Sequence, residues 1–457
     1  MRCWSCISLS TMRCDPTDSI RPRGVRRAHP ASRRWRHGAL ATLVALCAGT
    51  NGEAQERQPG VSIGLQYRVG QKSTLLVLPT SGAGGDSVVA ILSRDFDYSD
   101  RFTVVASSSV PPATGAPNYA LVSRLGVDGV VQVVMRPAGG LRVQLHDVGK
   151  KAVVQEREVA LPTPALSAAW RMAVHGVADL VEEWIVGQPG IAQSRIAFTR
   201  GGRVWLVDSD GANVTPVTAS GMSPQWLPSG RGLVYSVLDG TRNPIMTSDL
   251  ATGTQRILVA SSGVEHTTPA VSPDGRLLVY ARGTDVGTDL YAQPLEGGTP
   301  RRITVGRGRA SVQPSFSPDG QRLAFMSDRS GRQEVYISDV DGTNVELLTT
   351  GVFGDRDYRA GPDWSPDGRV VAFQSRNGGT FQIMTINLRD QSVRQVTNEG
   401  RNDDPSWAPD SRHLVVTRSF DGVRHLWVID TETGRTRQLT RGTESRLAAW
   451  SPRLASP

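Results

Sequence analysis

Two runs of the form Asp-x-Asp-Gly-x-Asn, at residues 208–213 and 339–344, hold carboxylates at a spacing that calcium loops also use. An EF-hand loop needs a further ligand before its glycine and a Glu well after it, and neither run supplies them. Both runs recur at the same point of a longer repeat, which turn chemistry explains better than metal binding. Cys3-x-x-Cys6 has the spacing of half a zinc site or of a redox pair, but there is no second pair. The other two cysteines, Cys14 and Cys47, also precede residue 54, so the rest of the chain has none. Five histidines follow that point: His146, His175, His266, His413 and His425. His175 is expected on a helix as a half-buried structural or surface residue, and His413 and His425 in or at the ends of strands. No Gly-x-Ser-x-Gly elbow, His-Glu-x-x-His pair or phosphate loop ending in Gly-Lys-Ser/Thr is present. The residues therefore imply no catalytic group, no resident metal and no cofactor, a channel cation such as calcium beside Asp403 and Asp404 being the one exception left open.

The polar residues with most to offer a partner stand just before a recurring cassette, Pro-x-aromatic-Ser-Pro-Asp-Gly. Its copies cover residues 224–230, 269–275, 314–320, 362–368 and 405–411, with a truncated one at Trp450, Ser451 and Pro452. The anchors Trp226, Val271, Phe316, Trp364, Trp407 and Trp450 are 45, 45, 48, 43 and 43 residues apart, a period that reads as propeller blades of four strands. Proline presets φ, Asp bonds its own backbone and Gly takes positive φ, so the cassette's Ser-Pro-Asp-Gly suits a turn. Each unit continues through two apolar strands to a last strand ending in Leu-Thr.

Six anchors and six second-strand signatures are out of step at the ends. Ile196, Ala197 and Phe198 have no Ser-Pro before them, and Trp450 has no complete unit after it. One blade must be completed by both ends of the repeat region, which predicts an all-β, six-bladed β-propeller over residues 195–457 with its sheet edges hidden. On such a ring the connections entering the innermost strands converge on one mouth of the channel. They carry Glu265, His266, Thr267 and Thr268, then Ser311, Val312 and Gln313, then Asp357, Tyr358 and Arg359, then Asn402, Asp403 and Asp404. That mixture can hydrogen-bond a partner from several directions.

Residues 55–190 do not repeat and read as an N-terminal α/β domain, giving an α+β region ahead of the propeller. A buried strand at 74–78 is followed by a helix across 87–96, strands at 102–105 and 129–134, and an antiparallel pair at 141–145 and 153–159. A second helix carries the stripe Trp170, Val174, Val177, Leu180 and Ile185, with Pro164 in its first turn and Gly187 as its stop. Pro189 and Gly190 mark a hinge.

The net charge of +8 is misleading. Residues 1–54 hold nine Arg against Asp15, Asp18 and Glu53, so they carry +6 and leave +2 for the remainder, which is not a nucleic-acid binder's balance. Those residues read as an export leader: Arg33, Arg34 and Arg36, an apolar stretch over 39–49, and Gly52 and Ala54 at a cleavage site. The stretch is too short to span a bilayer, so a periplasmic, non-membrane-spanning monomer is expected.

The blade run at 316–327 with Glu334, Val335, Tyr336 and Ile337 is similar to the blade signature of the TolB family, the periplasmic propellers of the Tol-Pal system. The junction resembles that family as well, through Trp170, Met172, His175, Asp179, Glu183 and Gly187 and then residues 194–198, as do residues 75–79 and 93–102. The resemblance implies a non-enzymatic adaptor that docks a Pal-like lipoprotein at the channel mouth and engages a TolA-like inner-membrane protein through its extreme N-terminal segment. Carried onto this chain, the lipoprotein surface includes His266, Thr267, Thr268, Val312, Gln313, Arg359, Asp403 and Asp404. The N-terminal segment includes Val61, Ile63 and Leu65, whose alternation suits addition to a sheet edge. Two alternatives stay open: the regulatory propeller of a hydrolase, which lacks the roughly 200 further residues a hydrolase domain needs, and a propeller that binds a glycan or small molecule in its channel.

Overall fold

The structure, a computed structural model, describes residues 71–106, 108, 115–137, 139–306, 309–349, 358–377, 379–420 and 422–455. The expected leader with its four cysteines, and Val61, Ile63, Leu65 and Asp357, lie outside the described residues. Among those described, no helix is long and apolar enough to cross a membrane.

The first part is a five-stranded mixed sheet with helices on both faces. Its elements are β1 (Ser73–Val77), α1 (Gly85–Tyr98), β2 (Phe102–Val105), α2 (Tyr119–Arg124), β3 (Gly129–Met135), β4 (Leu141–Asp147), β5 (Ala152–Val159) and α3 (Ala168–Val186). The order is β2-β1-β3-β4-β5, parallel across the first three strands and antiparallel from β3 onward. Leu75, Val77, Val131 and Val133 alternate onto the face that α1 and α3 cover with Val88, Leu92, Phe96, Trp170, Val174 and Val177. Leu76 and Val130 point the other way, to Val122 of α2. That short helix is not apparent from periodicity; its clearest signal is Asn118, whose side chain accepts the amide of Leu121. Helix α3 ends at Gly187, in the left-handed region, as the sequence predicts. Its start differs. Pro164 sits outside the helix, after a cis Thr163–Pro164 peptide, and Ser167 caps the helix by accepting the Trp170 amide at 3.2 Å.

The second part is the six-bladed ring. Blades 1 to 6 have innermost strands Met222–Trp226, His266–Val271, Ser311–Phe316, Arg359–Trp364, Arg401–Trp407 and Arg446–Trp450, each leading a four-stranded antiparallel sheet. Blade 6 is composite: Arg446–Trp450 pairs antiparallel with Arg195–Arg200, matching Ala449 to Ala197 and Trp450 to Ile196. Trp450 Nε1 donates to Ser194 Oγ at 2.8 Å and locks the seam.

Two repeat features acquire a mechanism. In the Ser-Pro-Asp-Gly turns, Ser272, Ser317 and Ser365 donate to Asp274, Asp319 and Asp367 while accepting the amide five residues on. The closing threonine of a unit, at Thr218, Thr304, Thr349, Thr397 and Thr440, accepts the amide of the residue 14 positions earlier in the third strand. A short outer strand is thereby pinned without a long hydrogen-bond ladder.

Innermost strands begin at one end of the ring, the mouth, and the Ser-Pro-Asp-Gly and Asp-x-Asp-Gly turns lie at the other, the base. The α/β part stands on the base of blades 5 and 6, which leaves the mouth free of it.

Candidate functional site

Every innermost strand is kinked at one equivalent residue. Ser223, Thr268, Gln313, Gly361, Asp404 and Leu447 have φ of 50°, 45°, 56°, 59°, 52° and 53°, each at a register shift, and five of them precede proline. The proline that follows disfavours the right-handed helical region, and the left-handed conformation costs a non-glycine residue about 1–2 kcal/mol. Bonds between blades offset that cost. The Gln313 amide donates to Thr268 Oγ1 at 3.1 Å and the Gly361 amide to Gln313 Oε1 at 3.0 Å. Gly361 has no side chain to continue the series, so Gln374 Oε1 takes the Asp404 amide at 2.9 Å from a place 3.3 Å from where a Cβ of residue 361 would stand. Thr417 Oγ1 then takes the amide of Leu447 at 3.2 Å.

A second ring runs two residues further along. Ser315 Oγ accepts the Trp364 amide at 3.0 Å, Asp363 Oδ2 that of Trp407 at 2.7 Å, and Ser406 Oγ that of Trp450 at 3.1 Å. The two rings line a channel of about 260 Å³ with the prolines and tryptophans of the cassette. Burial raises the carboxyl of Asp363 to about 6, against the opposing bonds from Trp407, Ser315 and Ser406. Burial, reinforced by the Asp403 charge, does the same to Asp404, also to about 6. Among the described residues the channel wall has serines but no histidine, cysteine or lysine. Its chemistry is hydrogen-bonding and apolar contact, with two carboxyls that shed their protons near neutrality.

Of the eight residues the sequence assigns to the mouth, Thr268, Gln313 and Asp404 line the channel. The other five stand behind it. His266 is fully buried, its Nδ1 3.1 Å from Asn243 O and its ring edge-on to Tyr280. Arg359 is 2 % exposed and gives Nη1 to both oxygens of Glu334 and to Thr349 O. Asp403 receives Arg401 Nε at 2.7 Å. Thr267 pairs with Ala281 in the blade, and Val312 packs on the core between blades 2 and 3.

The Asp-x-Asp-Gly-x-Asn runs are turns whose carboxylates point inward. Asp208 and Asp339 accept the side chains of Asn213 and Asn344 at 2.6 Å, and Asp341 accepts both the amide and the hydroxyl of Thr343. One of these carboxylates does more than the turn requires. Asp210 is buried where the α/β part meets the base, accepting from Arg94 and, at 2.7 Å, from Arg171.

His175 lies beside it and is fully buried, not half-buried or superficial as the sequence suggests, because the polar face of α3 is turned to the propeller. Burial alone would lower its imidazole, but the charge and hydrogen bond of Asp95, with Asp210 and Asp208, hold it raised. His413 mirrors it from the propeller side, with Nδ1 2.7 Å from Asp410 and Nε2 3.4 Å from Asp100. Those charges overcome its burial and raise it to about 9. The triplets Asp95, His175, Asp210 and Asp100, His413, Asp430 have the proximity of metal ligands. Yet Asp210 already serves two arginines, and Arg412 spans both oxygens of Asp430, so protonated imidazoles satisfy them better than a cation would. Residues 190–194 between the two parts are buried, and Asp179 accepts the amides of Ala192 and Gln193 at 2.8 and 2.9 Å. Burial keeps that carboxyl raised to about 7.

A family model described as the TolB beta propeller domain matches residues 183–454. The Tol-Pal system protein TolB of Methylococcus capsulatus is 31% identical over 250 residues, covering 50% of this chain and 56% of that protein. The protein of the same name from Xanthomonas oryzae pv. oryzae is 28% identical over 262 residues, 50% of this chain and 56% of its own. The chain spans about half the length of the curated relatives it matches. The crystal structure of TolB from Acinetobacter baumannii has the same fold, with a TM-score of 0.74 at 24% identity over 84% of this chain and 97% of that one.

Proposed function

We propose, because this chain belongs to the TolB family of Tol-Pal system proteins, that it is a non-enzymatic periplasmic adaptor. In this reading the channel mouth binds a Pal-like, peptidoglycan-associated lipoprotein. The N-terminal segment with Val61, Ile63 and Leu65 engages a TolA-like inner-membrane protein, and the pair of contacts supports outer-membrane integrity and constriction at division. The supporting observation is the accessible mouth: the α/β part occupies the base of the ring, so the end where Thr268, Gln313 and Asp404 open to the channel stays available to a partner. His266, Arg359 and Asp403 fix the strands that carry those three residues, and Thr267 and Val312 flank them.

Capture from envelope extract tests the reading. The tagged protein is expected to retain a peptidoglycan-binding lipoprotein, and Thr268→Trp, which fills the channel entrance without adding charge, is expected to abolish retention with the circular dichroism spectrum intact. Asp341→Arg, on the base, should retain it. Turnover of a chromogenic ester or peptide by the purified protein would overturn the proposal in favour of the hydrolase-like alternative.

A further inference from the structure

Four of the six blades share a construction at the mouth that the docking residues above do not include. Where the second and third strands pair, blades 2, 3, 5 and 6 place an aromatic residue on the third strand: Tyr291 opposite Tyr280, Tyr336 opposite Phe325, Trp427 opposite Val416 and Trp205 opposite Phe198. Against each ring lies an arginine from the mouth end of the second strand or, for Arg329, from the turn just beyond it. Arg282, Arg329, Arg418 and Arg200 stand 5.1, 5.0, 4.9 and 5.5 Å from the respective centroids. In blades 1 and 4 the equivalent third-strand position is Met246 or Met384. Blade 4 has a stacked pair at another position, Arg401 over Phe381 at 4.5 Å, but that arginine is also paired with Asp403.

None of these four guanidiniums has a carboxylate within ion-pair distance among the described residues. Among the described residues Arg200 donates to Ser445 Oγ and Arg418 to Asn402 Oδ1, while Arg329 reaches Ser327 Oγ and leaves Nη2 buried without a partner. Asp289 stands opposite Arg282 across the strands, but Arg302, Thr304 and the Gly306 amide occupy its carboxylate. Three other arginines at this end are paired, Arg359 with Glu334, Arg401 with Asp403 and Arg424 with Glu444. Burial lowers the guanidiniums of Arg200, Arg329 and Arg418, outweighing the opposing pull of Tyr336 and Asp289 on Arg329 and of Glu399 on Arg418, so keeping them charged costs stability. The stacking holds each fork in place, and a planar fork fits a carboxylate in two-point contact. Around the ring, blades 5 and 6 adjoin one another, as do blades 2 and 3, with blades 1 and 4 between the pairs. The four stacked arginines therefore form two groups on opposite sides of the channel.

We propose that the mouth is a receptor for an acidic protein segment whose carboxylates straddle the channel, meeting Arg200 on one side and Arg282 and Arg329 on the other, with the buried Arg418 adding to the field. This rests on the mouth being the docking face and gives its partner a chemistry. A protein is favoured over a nucleic acid because two separated patches do not track a continuous phosphate backbone, and the chain beyond residue 54 carries only +2.

The test is fluorescence anisotropy with the full chain and a labelled peptide of about ten glutamates, at about 50 mM and about 300 mM salt. Binding is expected at the lower salt and strong weakening at the higher. The triple variant Arg200→Gln, Arg282→Gln, Arg329→Gln should lose about tenfold or more in affinity and show a smaller salt slope. Arg322→Gln, whose arginine stacks on Trp364 at the base, should bind as the parent does. If the triple variant does not fold, Arg282→Gln alone, which breaks no hydrogen bond, should cost about threefold. Absent peptide binding, equal binding by folded variants that have only a lower Tm, or preference for a DNA oligonucleotide of the same charge each overturns the inference. Lipoprotein capture that persists without peptide binding would overturn it while leaving the adaptor reading in place.

Discussion

His175 stands with Nδ1 2.7 Å from Asp95 Oδ2 on the neighbouring helix, and Nε2 of the same ring faces Asp210 of the propeller at 3.7 Å. His413 repeats the arrangement with the parts exchanged, its near carboxylate on the propeller and its far one, Asp100, on the α/β part. Each half of the protein thus contributes one imidazole to a carboxylate of the other.

Both rings are raised above the ordinary histidine value, so their stabilisation is fully present below about pH 6.5 and is lost as pH rises, for His413 through about 9. Glu182, raised by burial to about 8, acts in the same direction. Thermal unfolding should show Tm falling from about pH 6.5 to about pH 9.5, with a loss on the order of a few kcal/mol. His413→Asn should lower Tm at neutral pH and flatten that decline; a Tm that rises over this range contradicts the assignment. On the acid side Asp210 and Asp410 are depressed, overcoming burial through His175 and His413 respectively, so their contribution disappears as pH falls below about 4.

Asp210→Asn removes the one charge that Arg94, Arg171 and His175 share. Leaving three cations around a neutral amide should cost about 3–5 kcal/mol in urea unfolding. Protease cleavage within residues 190–194 should accelerate, because that segment is covered only while the two parts stay docked. Unchanged cleavage would mean the contact does not hold them together.

Thr440→Val deletes the hydroxyl that takes the Leu426 amide at 2.9 Å and leaves that buried donor unpaired. A loss of about 1–3 kcal/mol is expected in denaturant midpoints, and Thr440→Ser should recover most of it. A Thr440→Val protein as stable as the parent, with the loss confined to Thr440→Ser, would assign the effect to the methyl group.

Much of this was legible in sequence. Ring closure followed from counting Trp450 against Ile196, and the channel position of Thr268, Gln313 and Asp404 from their place just before proline. The burial of Arg359 was not legible, because its partners Glu334 and Thr349 belong to the neighbouring blade and no local period connects them. Nor was the charged seam. Asp208 and Asp210 fit the turn so well that nothing local shows that Asp210 also binds Arg94, 116 residues away.

Trp450→Ala should be the most damaging single change in the propeller. It removes a side chain 6 % exposed in the core of blades 5 and 6 together with the bond to Ser194, for about 3–5 kcal/mol. Trp450→Phe keeps much of the packing and isolates the hydrogen bond at about 1 kcal/mol. The alanine variant should also expose the Ile196 edge to proteolysis before global unfolding.

Arg195 and Ser451 are hydrogen-bonded across 256 residues of chain, so a ribosome must finish nearly all of the second half before the ring can complete itself. Until that late encounter, five finished sheets stand in an open arc with unpaired edges at both ends. Long-range closure of this kind is entropically slow, which makes the newly synthesised protein the state most exposed to aggregation and most in need of a chaperone.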